Sequence, residues 1–304
     1  MRVLVIGYGS IGQRHARLLY TLGCKVAVVS GREVDHSRVF HDLDMALKEW
    51  QPEYVVVANK TQEHHDALYT LAQNGFDGRV LVEKPIFDHI REIPPNHFAY
   101  LAVAYNMRFH PLISRLRDFL VGQRTLSAFA YVGQYLPQWR PSTDYRHSYS
   151  AKRSEGGGVL RDLSHELDYM NWLFGGWRRL TAVGGHFSRL EIDSDDQYSL
   201  LLEMRDCPLV HIHVNYLDRV LRREVLVHTD QHSVKADFVK GTIDVDGNVD
   251  QVVIERDTTY LEEHKAMLVG DFSRLCNDKE SLDVIKMIEC AETAAAKKLW
   301  MTAL

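Results

Sequence analysis

Met1-Arg-Val-Leu-Val-Ile-Gly-Tyr-Gly-Ser-Ile-Gly12 sets an apolar run, Val3 to Ile6, directly before Gly7, Gly9 and Gly12. This G-x-G-x-x-G spacing follows a strand pattern. It opens a stretch, Gln13 to Leu22, that reads as a helix with Ile11, Ala16, Leu18, Leu19 and Leu22 free to pack on a sheet. Gly7 permits a tight turn, Gly9 lets a pyrophosphate reach the backbone, and Gly12 lets helix and strand close up. Tyr8, Ser10 and Ile11 complete the turn. The N–H groups at the helix start and the positive end of its dipole then hold phosphates. The start of the chain is therefore expected to be a Rossmann dinucleotide-binding unit.

Working outward, Lys25 to Val29 is a second apolar strand and ends at Ser30-Gly-Arg-Glu33. An NAD enzyme places an acid near this point, on the ribose 2′-OH. Here Ser30 and Arg32 offer a hydroxyl and a guanidinium, which favours NADP over NAD. Glu33 and Asp35 keep NAD open. A helix over 40–50, a strand over 54–58, a helix over 62–74 and a strand over 79–82 follow, the last running into Glu83-Lys84-Pro85. Ligands of open α/β sheets bind outside the carboxyl ends of the strands, so Lys84 stands where chemistry occurs. A further strand, 99–104, leads into Tyr105-Asn-Met-Arg-Phe-His-Pro111.

Beyond it a helix over 112–121 precedes strand-like runs at 126–135, 180–188, 197–204, 208–216 and 223–229. Strands without helices between them predict a second, α+β domain with a large, mostly antiparallel open sheet. The expected division is 1–107 and 108–304. Closing helical stretches run roughly over 262–276 and 282–301, and the last helix is a candidate to pack back on the first domain. Gly156-Gly-Gly opens one more helix, to Gly175, on which Asp162, His165 and Asp168 fall at i, i+3 and i+6. A carboxylate beside an imidazole orients it and raises its basicity, as a general base near neutral pH requires.

The totals fit a soluble globular protein of two domains. At 304 residues, 45% hydrophobic and 25% charged, the chain can bury sizeable cores. A net charge of −5 speaks against nucleic acid as a partner. No apolar stretch approaches a membrane span, and the apolar start is too short for a signal core. Cys24, Cys207, Cys276 and Cys290 lack C-x-x-C spacing, so reduced thiols in the cytoplasm are expected. Among 16 histidines only His64-His65 and His211-x-His213 are close, and neither has a further ligand at metal spacing. No metal is expected.

Together these motifs resemble the glucose-fructose oxidoreductase/inositol dehydrogenase/MocA (Gfo/Idh/MocA) family of NAD(P)-dependent oxidoreductases, over essentially the whole chain. The resemblance rests on Gly7-x-Gly9-x-x-Gly12, Ala58 with His64 six residues later, Glu83-Lys84-Pro85, Asn106-x-Arg108-x-x-Pro111, and Gly156-Gly-Gly with Asp162, His165 and Asp168. It implies that Ala58, Asn59, His64, Glu83, Lys84 and Asn106 line the cofactor and that Arg108 and Asp168 meet the substrate. Lys84 lies by the nicotinamide and the substrate hydroxyl, His165 accepts the proton, and Asp162 completes the cluster. It further implies a homodimer or homotetramer through the second sheet. Two departures stand out: the family commonly sets the histidine four residues after the aspartate, with a glycine between, whereas here the step is three, with Ser164. Where Thr-Pro is common, this chain has Asn59-Lys60.

The stretch 134–153 interleaves Arg140, Arg146, Lys152 and Arg153 with Tyr135, Trp139, Tyr145 and Tyr149. Aromatic faces stack on sugar rings and arginine forks grip carboxylate or phosphate, so Trp139, Arg140, Tyr145 and Arg146 are candidate substrate contacts. A loop packed on an oligomer partner is the other reading. The stretch looks like the branch of the family that serves surface-polysaccharide synthesis with acidic or nucleotide-linked sugars. The expected activity is hydride transfer between nicotinamide and a hydroxyl or carbonyl carbon of a sugar. A cofactor-trapping glycosidase of the same fold, or a non-catalytic nucleotide-responsive protein, would keep most of these motifs.

Overall fold

The structure, a computed structural model, describes residues 1–139 and 143–303. It divides into two units, Met1–Phe109 with Arg256–Leu282, and His110–Glu255 with the chain from Asp283 onward. The division therefore differs from a single cut at 107/108, because Arg256–Leu282 returns to the first unit.

The first unit is built on β1 (Arg2–Ile6), β2 (Lys25–Val29), β3 (Val39–Phe40), β4 (Tyr54–Val57), β5 (Arg79–Val82) and β6 (Tyr100–Val103), with a short strand Cys276–Asn277 at one edge. Their order is Cys276–Asn277, β6, β5, β4, β1, β2, β3, all parallel except the returning edge strand. The strands read as continuous apolar runs because both faces are covered: Val3, Leu4, Val5, Val55, Val56, Val57, Val80, Leu81 and Val82 are all buried. Each such side chain contributes about 1.5–3 kcal/mol. Helices α1 (Ser10–Thr21), α2 (Leu43–Trp50) and α3 (His64–Gln73) connect successive strands. The stretch expected to be helical to Cys276 instead stops at Val269, since the returning helix is Thr258–Val269 and Cys276 pairs with Val103.

The register sets up the site. Ile6 stands opposite Val57 and Val29, Val57 opposite Val82, and Val82 opposite Val103. Gly7, Ser30, Ala58, Glu83 and Ala104 are thus one row, a single step past the sheet. The ladder continues into that row: Ala58 N donates to Ile6 O at 2.7 Å, Glu83 N to Val57 O at 2.8 Å and Ala104 N to Val82 O at 2.8 Å. Because β2 and β4 flank β1, the order reverses at the glycine turn, the switch point where such sheets take ligands.

The second unit carries β7 (Thr125–Gly133), β8 (Trp177–Gly185), β9 (Gln197–Met204), β10 (Val210–Asn215), β11 (Arg222–Thr229), β12 (Ser233–Asp237), β13 (Thr242–Val245) and β14 (Asn248–Gln251). The nine-stranded order is β14, β13, β12, β11, β7, β10, β9, β8, Met301–Thr302, antiparallel throughout except for β7 beside β10. Alternation separates its faces. Ala128, Ala130, Val132, Val210, Ile212 and Val214 are buried, whereas Phe129, Leu201 and Val183 on the other side are exposed. Helices α4 (Pro111–Leu120), α5 (Leu136–Trp139), α6 (Val159–Asp162) and α7 (His165–Leu173) belong to this unit.

The single helix expected over 156–175 is two. Leu163 leaves helical geometry at φ −102°, ψ 32°, and Ser164 lies between α6 and α7. Each helix closes its own bonds, Leu163 N on Val159 O and Asp168 N on Ser164 O. Asp162 and His165 therefore do not share a continuous helical face. Among the described residues no helix is long and apolar enough to cross a membrane.

Candidate active site

In the first unit, the glycine turn has the shape of a phosphate cradle. Gly7 adopts φ +90°, and a Cβ on it would sit 2.5 Å from Asn59 N. A Cβ on Gly12 would sit 2.0 Å from Gly7 O, whereas one on Gly9 would meet nothing within 4 Å. The close contacts belong to the fold, and the side at Gly9 is open. No side chain caps α1, and no acid occupies its first turn, which includes Ser10 and Ile11. Uncapped N–H groups beside an open glycine suit a dinucleotide pyrophosphate. Tyr8 packs edge-on against His36.

At the end of β2, Ser30 is buried and its hydroxyl donates to Arg32 O at 2.8 Å while accepting from Arg32 N at 3.1 Å. The serine thus shapes the turn, and the exposed Arg32 side chain is left as the group that reaches outward. Asn59 gives its amide to Glu63 O at 3.4 Å, while its buried Oδ1 has no partner among the described residues.

Glu83 and Lys84 follow β5. Glu83 accepts from His15 Nε2 at 2.8 Å and from Lys84 N at 3.0 Å. Burial disfavours its charge, but the His15 bond and the Lys84 charge outweigh that and lower its pKa. His64 is buried behind the same segment, with Nδ1 placed to donate to Pro85 O (3.2 Å) or Ile86 O (3.1 Å); burial lowers its pKa and favours the neutral ring. Asn106 bonds Thr259 Oγ1 at 3.1 Å. Arg108 corrects an expectation. Its side chain is 2% exposed and bonds Glu280 at 2.8 Å and Leu275 O at 3.3 Å, a structural ion pair and not a group presented to substrate.

The second unit assembles another polar cluster. Buried Asp162 accepts at Oδ2 from the Tyr216 hydroxyl at 2.6 Å. Burial and then the Asp162 charge push the Tyr216 phenol well above its usual range. Trp139 stands edge-on to Tyr216, centroids 5.1 Å apart, and its buried indole Nε1 has no partner among the described residues. His165 is half-buried as the first residue of α7, and Asp168 is buried one turn on. Behind them, Glu166 is locked by Arg223 at 2.7 and 3.1 Å and by the Tyr169 hydroxyl at 3.1 Å.

The triple glycine is not a flexible opening. A Cβ on Gly157 would lie 2.0 Å from Tyr149 O, and one on Gly158, at φ +117°, would lie 2.5 Å from Asp195 Oδ1. Buried Asp195 accepts from Leu160 N at 3.3 Å and so fixes the start of α6.

Of the aromatic-basic stretch, Arg140 lies outside the described residues. Arg146 is already gripped by Asp144 (2.8 Å) and Glu191 (2.9 Å), and that fork holds the Asp144 carboxyl down at about 2. Tyr145 accepts from Glu191 N at 3.2 Å. Arg146 thus organises its own loop. Sequence reasoning missed Tyr216, His15 and His264. Only His15 left a signal, a histidine on the buried stripe of α1 beside Ala16 and Leu19. Among the described residues no group of three or more His, Cys, Asp or Glu could hold a metal ion.

Comparison with known proteins adds to this geometry. Residues 1–96 match the family model described as an oxidoreductase family with an NAD-binding Rossmann fold, and residues 126–235 match the GFO/IDH/MocA C-terminal domain. A curated relative, inositol 2-dehydrogenase of Acidothermus cellulolyticus, is 28% identical over 209 residues, 61% of this chain and 57% of that protein's length. GenD2 from gentamicin A biosynthesis, solved with NAD, superposes with a TM-score of 0.83 at 21% identity, covering 100% of this chain and 96% of that one. Levoglucosan dehydrogenase, solved with NADH and levoglucosan, gives 0.85 at 14% identity with 99% of each chain covered. The WlbA dehydrogenase of Bordetella pertussis, solved with NADH and UDP-GlcNAcA, gives 0.79 at 17% identity, covering 100% and 98%. At these identities the structural likeness is one of fold.

Proposed function

The chain belongs to the Gfo/Idh/MocA oxidoreductase family, and on that premise we propose that it moves hydride between a nicotinamide dinucleotide and a hydroxyl or carbonyl carbon of a sugar or sugar derivative. The observation that carries the proposal is the row past the first sheet, which sets the open phosphate turn at Gly9 and the Glu83-Lys84 pair on one edge. The nicotinamide supplies the hydride acceptor or donor when bound. His165 takes the proton of the substrate hydroxyl, and the Lys84 side chain stabilises the oxygen as negative charge develops on it. Asp162, fixed by the Tyr216 hydroxyl, orients the substrate beside them. Asp168 lies buried one turn after His165 on the same helix, where the resemblance gives it to the substrate.

The proposed substrate class is an acidic or nucleotide-linked sugar. Support comes from Trp139, whose buried N–H has no described partner, from Arg140 and Tyr145, and from the UDP-sugar held by the WlbA dehydrogenase. Arg146 serves here by ordering the loop. The exposed Arg32 guanidinium favours a 2′-phosphate, hence NADP(H) over NAD(H), and the solved relatives were crystallised with NAD or NADH. The exposed apolar side chains on one face of the nine-stranded sheet support a homo-oligomer, which light scattering reads as a mass above that of one chain.

A screen of acidic sugars and sugar nucleotides with each cofactor, followed at the reduced-nicotinamide absorbance, tests the function. Net reduction or oxidation with one such sugar is expected. Bond cleavage in a glycoside with no net absorbance change, or no turnover by a folded, cofactor-binding protein, overturns it.

A further inference from the structure

Behind Glu83, within the first unit, four buried or half-buried side chains form one hydrogen-bonded line. Tyr54 OH lies 3.0 Å from His264 Nδ1, His264 Nε2 lies 2.8 Å from His15 Nδ1, and His15 Nε2 lies 2.8 Å from Glu83 Oε1. The other Glu83 oxygen accepts from Lys84 N. Tyr54, His15 and His264 are fully buried. They come from β4, α1 and the returning helix Thr258–Val269, so three separate elements converge on one carboxylate.

The Glu83 end of the line has a fixed direction. An ionised carboxylate only accepts, so His15 donates from Nε2; where His15 Nδ1 carries no proton it accepts from His264 Nε2, and His264 Nδ1 accepts from the Tyr54 hydroxyl. Each contact on the line then pairs one donor with one acceptor. Burial, and then the nearby His15, press the His264 pKa well below its ordinary value. The line ends on a buried phenol that burial first, and then Glu263 and Cys24, push well above its usual range, against the opposing pull of Arg79. Three polar side chains in a core are costly unless all are bonded, and a lone His15–Glu83 contact would not need the other two.

We propose that His15, His264 and Tyr54 are positioning residues that hold Glu83 as a fixed carboxylate under the Lys84 backbone, and so set the place and charge surroundings of Lys84. This rests on the reading of Lys84 as the group that meets the substrate oxygen. The charged and titratable groups facing Glu83 are His15, Lys84, His64 and Tyr260. Those facing His264 are His15 and Tyr54.

The test uses the full chain and four variants: His264→Phe, which breaks the line, His264→Gln, which keeps a donor and an acceptor, Tyr54→Phe, which removes one oxygen, and Lys84→Met. Carboxylate NMR without substrate reads the Glu83 titration, and kinetics with NAD(P) and the substrate from the screen read the rest. His264→Phe is expected to raise the Glu83 midpoint by about one pH unit. It should move the acid limb of the kcat profile upward with it and lower kcat roughly tenfold. KM and cofactor Kd should stay within about twofold, because His264 and Tyr54 are fully buried and do not belong to the row of Gly7, Ala58 and Glu83. His264→Gln should recover most of the loss, and Tyr54→Phe should shift both readouts the same way by less. If His264→Phe is unfolded, Tyr54→Phe carries the comparison against the parent and His264→Gln. A Glu83 titration unchanged in folded Tyr54→Phe and, where it folds, in His264→Phe overturns the proposal. Full activity in Lys84→Met instead overturns the reading of Lys84, and leaves the NMR titration as the separate measure of the line.

Discussion

Ser30 and Arg32 divide the work at the end of β2 between them. The serine hydroxyl is used in both directions on the Arg32 backbone, so it shapes the turn, and the proposed discrimination between cofactors rests on the arginine. A guanidinium on a 2′-phosphate contributes about 1–3 kcal/mol. Titration calorimetry should therefore show NADP(H) bound more tightly than NAD(H), with the difference erased in Arg32→Ala. Equal affinities in the parent would count against it. Tyr216 is the complementary case in the second unit. It has no signal in sequence, because its role comes from a partner 54 residues away, Asp162, reached only when β10 ends under α6. Tyr216→Phe removes the hydroxyl that bonds Asp162 Oδ2, so kcat should fall about 10- to 100-fold with cofactor Kd unchanged. What was legible residue by residue was the chemistry carried by backbone constraint, the glycines and Glu83-Lys84-Pro85. What was not legible was every contact made by a side chain to a distant element, and Arg108 and Arg146 show the cost: both looked available and both are paired.

At the level of the element, α1 separates what the fold needs from what the ligand needs. Gly12→Ala puts a Cβ against Gly7 O, so backbone must move; stability should fall by about 1–3 kcal/mol and cofactor binding should be lost. Gly9→Ala meets nothing within 4 Å at an ordinary negative φ, so the thermal midpoint should hold while dinucleotide affinity falls. A Gly9→Ala protein that binds normally would refute the assignment of that open side to phosphate. The start of α4 gives a pH test. His110 caps it, accepting from Leu112 N at 3.2 Å, and burial followed by the Arg223 charge lowers its pKa from 6.5 to about 4. The unfolded chain takes up a proton there first, so stability is full above about 6.5 and declines as pH falls towards 4, by up to about 3 kcal/mol. His110→Asn keeps an acceptor and removes the titration, so urea midpoints should fall less for the variant than for the parent across that window. The boundaries of elements were less legible than their existence. The helix expected over 156–175 breaks at Leu163 and Ser164 because Asp162 is held by Tyr216 and Asp195 fixes the start of α6, long-range contacts that no periodicity records.

For the whole molecule, sheet order was legible and the return of the chain was not. Alternation of apolar strands and helices before residue 105, and strands without helices after it, predicts a parallel and then a largely antiparallel sheet, as found. That Arg256–Leu282 rejoins the first unit depends on Met267 and Leu275 entering its core and on Arg79 bonding Met267 O and Leu268 O, pairings that only tertiary structure reveals. The proposed reaction draws on both units, Lys84 from the first and His165 from the second, and this makes its strongest prediction a matter of coupling. Lys84→Met leaves the phosphate turn untouched, and His165→Asn leaves α7 its helical geometry, so each single variant should bind cofactor normally while kcat falls about 100-fold or more. Two groups that act independently would lose the product of those factors when removed together. Two that serve one oxygen, one removing its proton and the other steadying the charge that remains, fail as a unit, so the double variant should lose little more than the worse single one. Losses that multiply in the double variant would place the two side chains on separate steps. Near-normal turnover in His165→Asn would assign the proton to another group, of which Asp162, short-bonded to Tyr216, is the next to test.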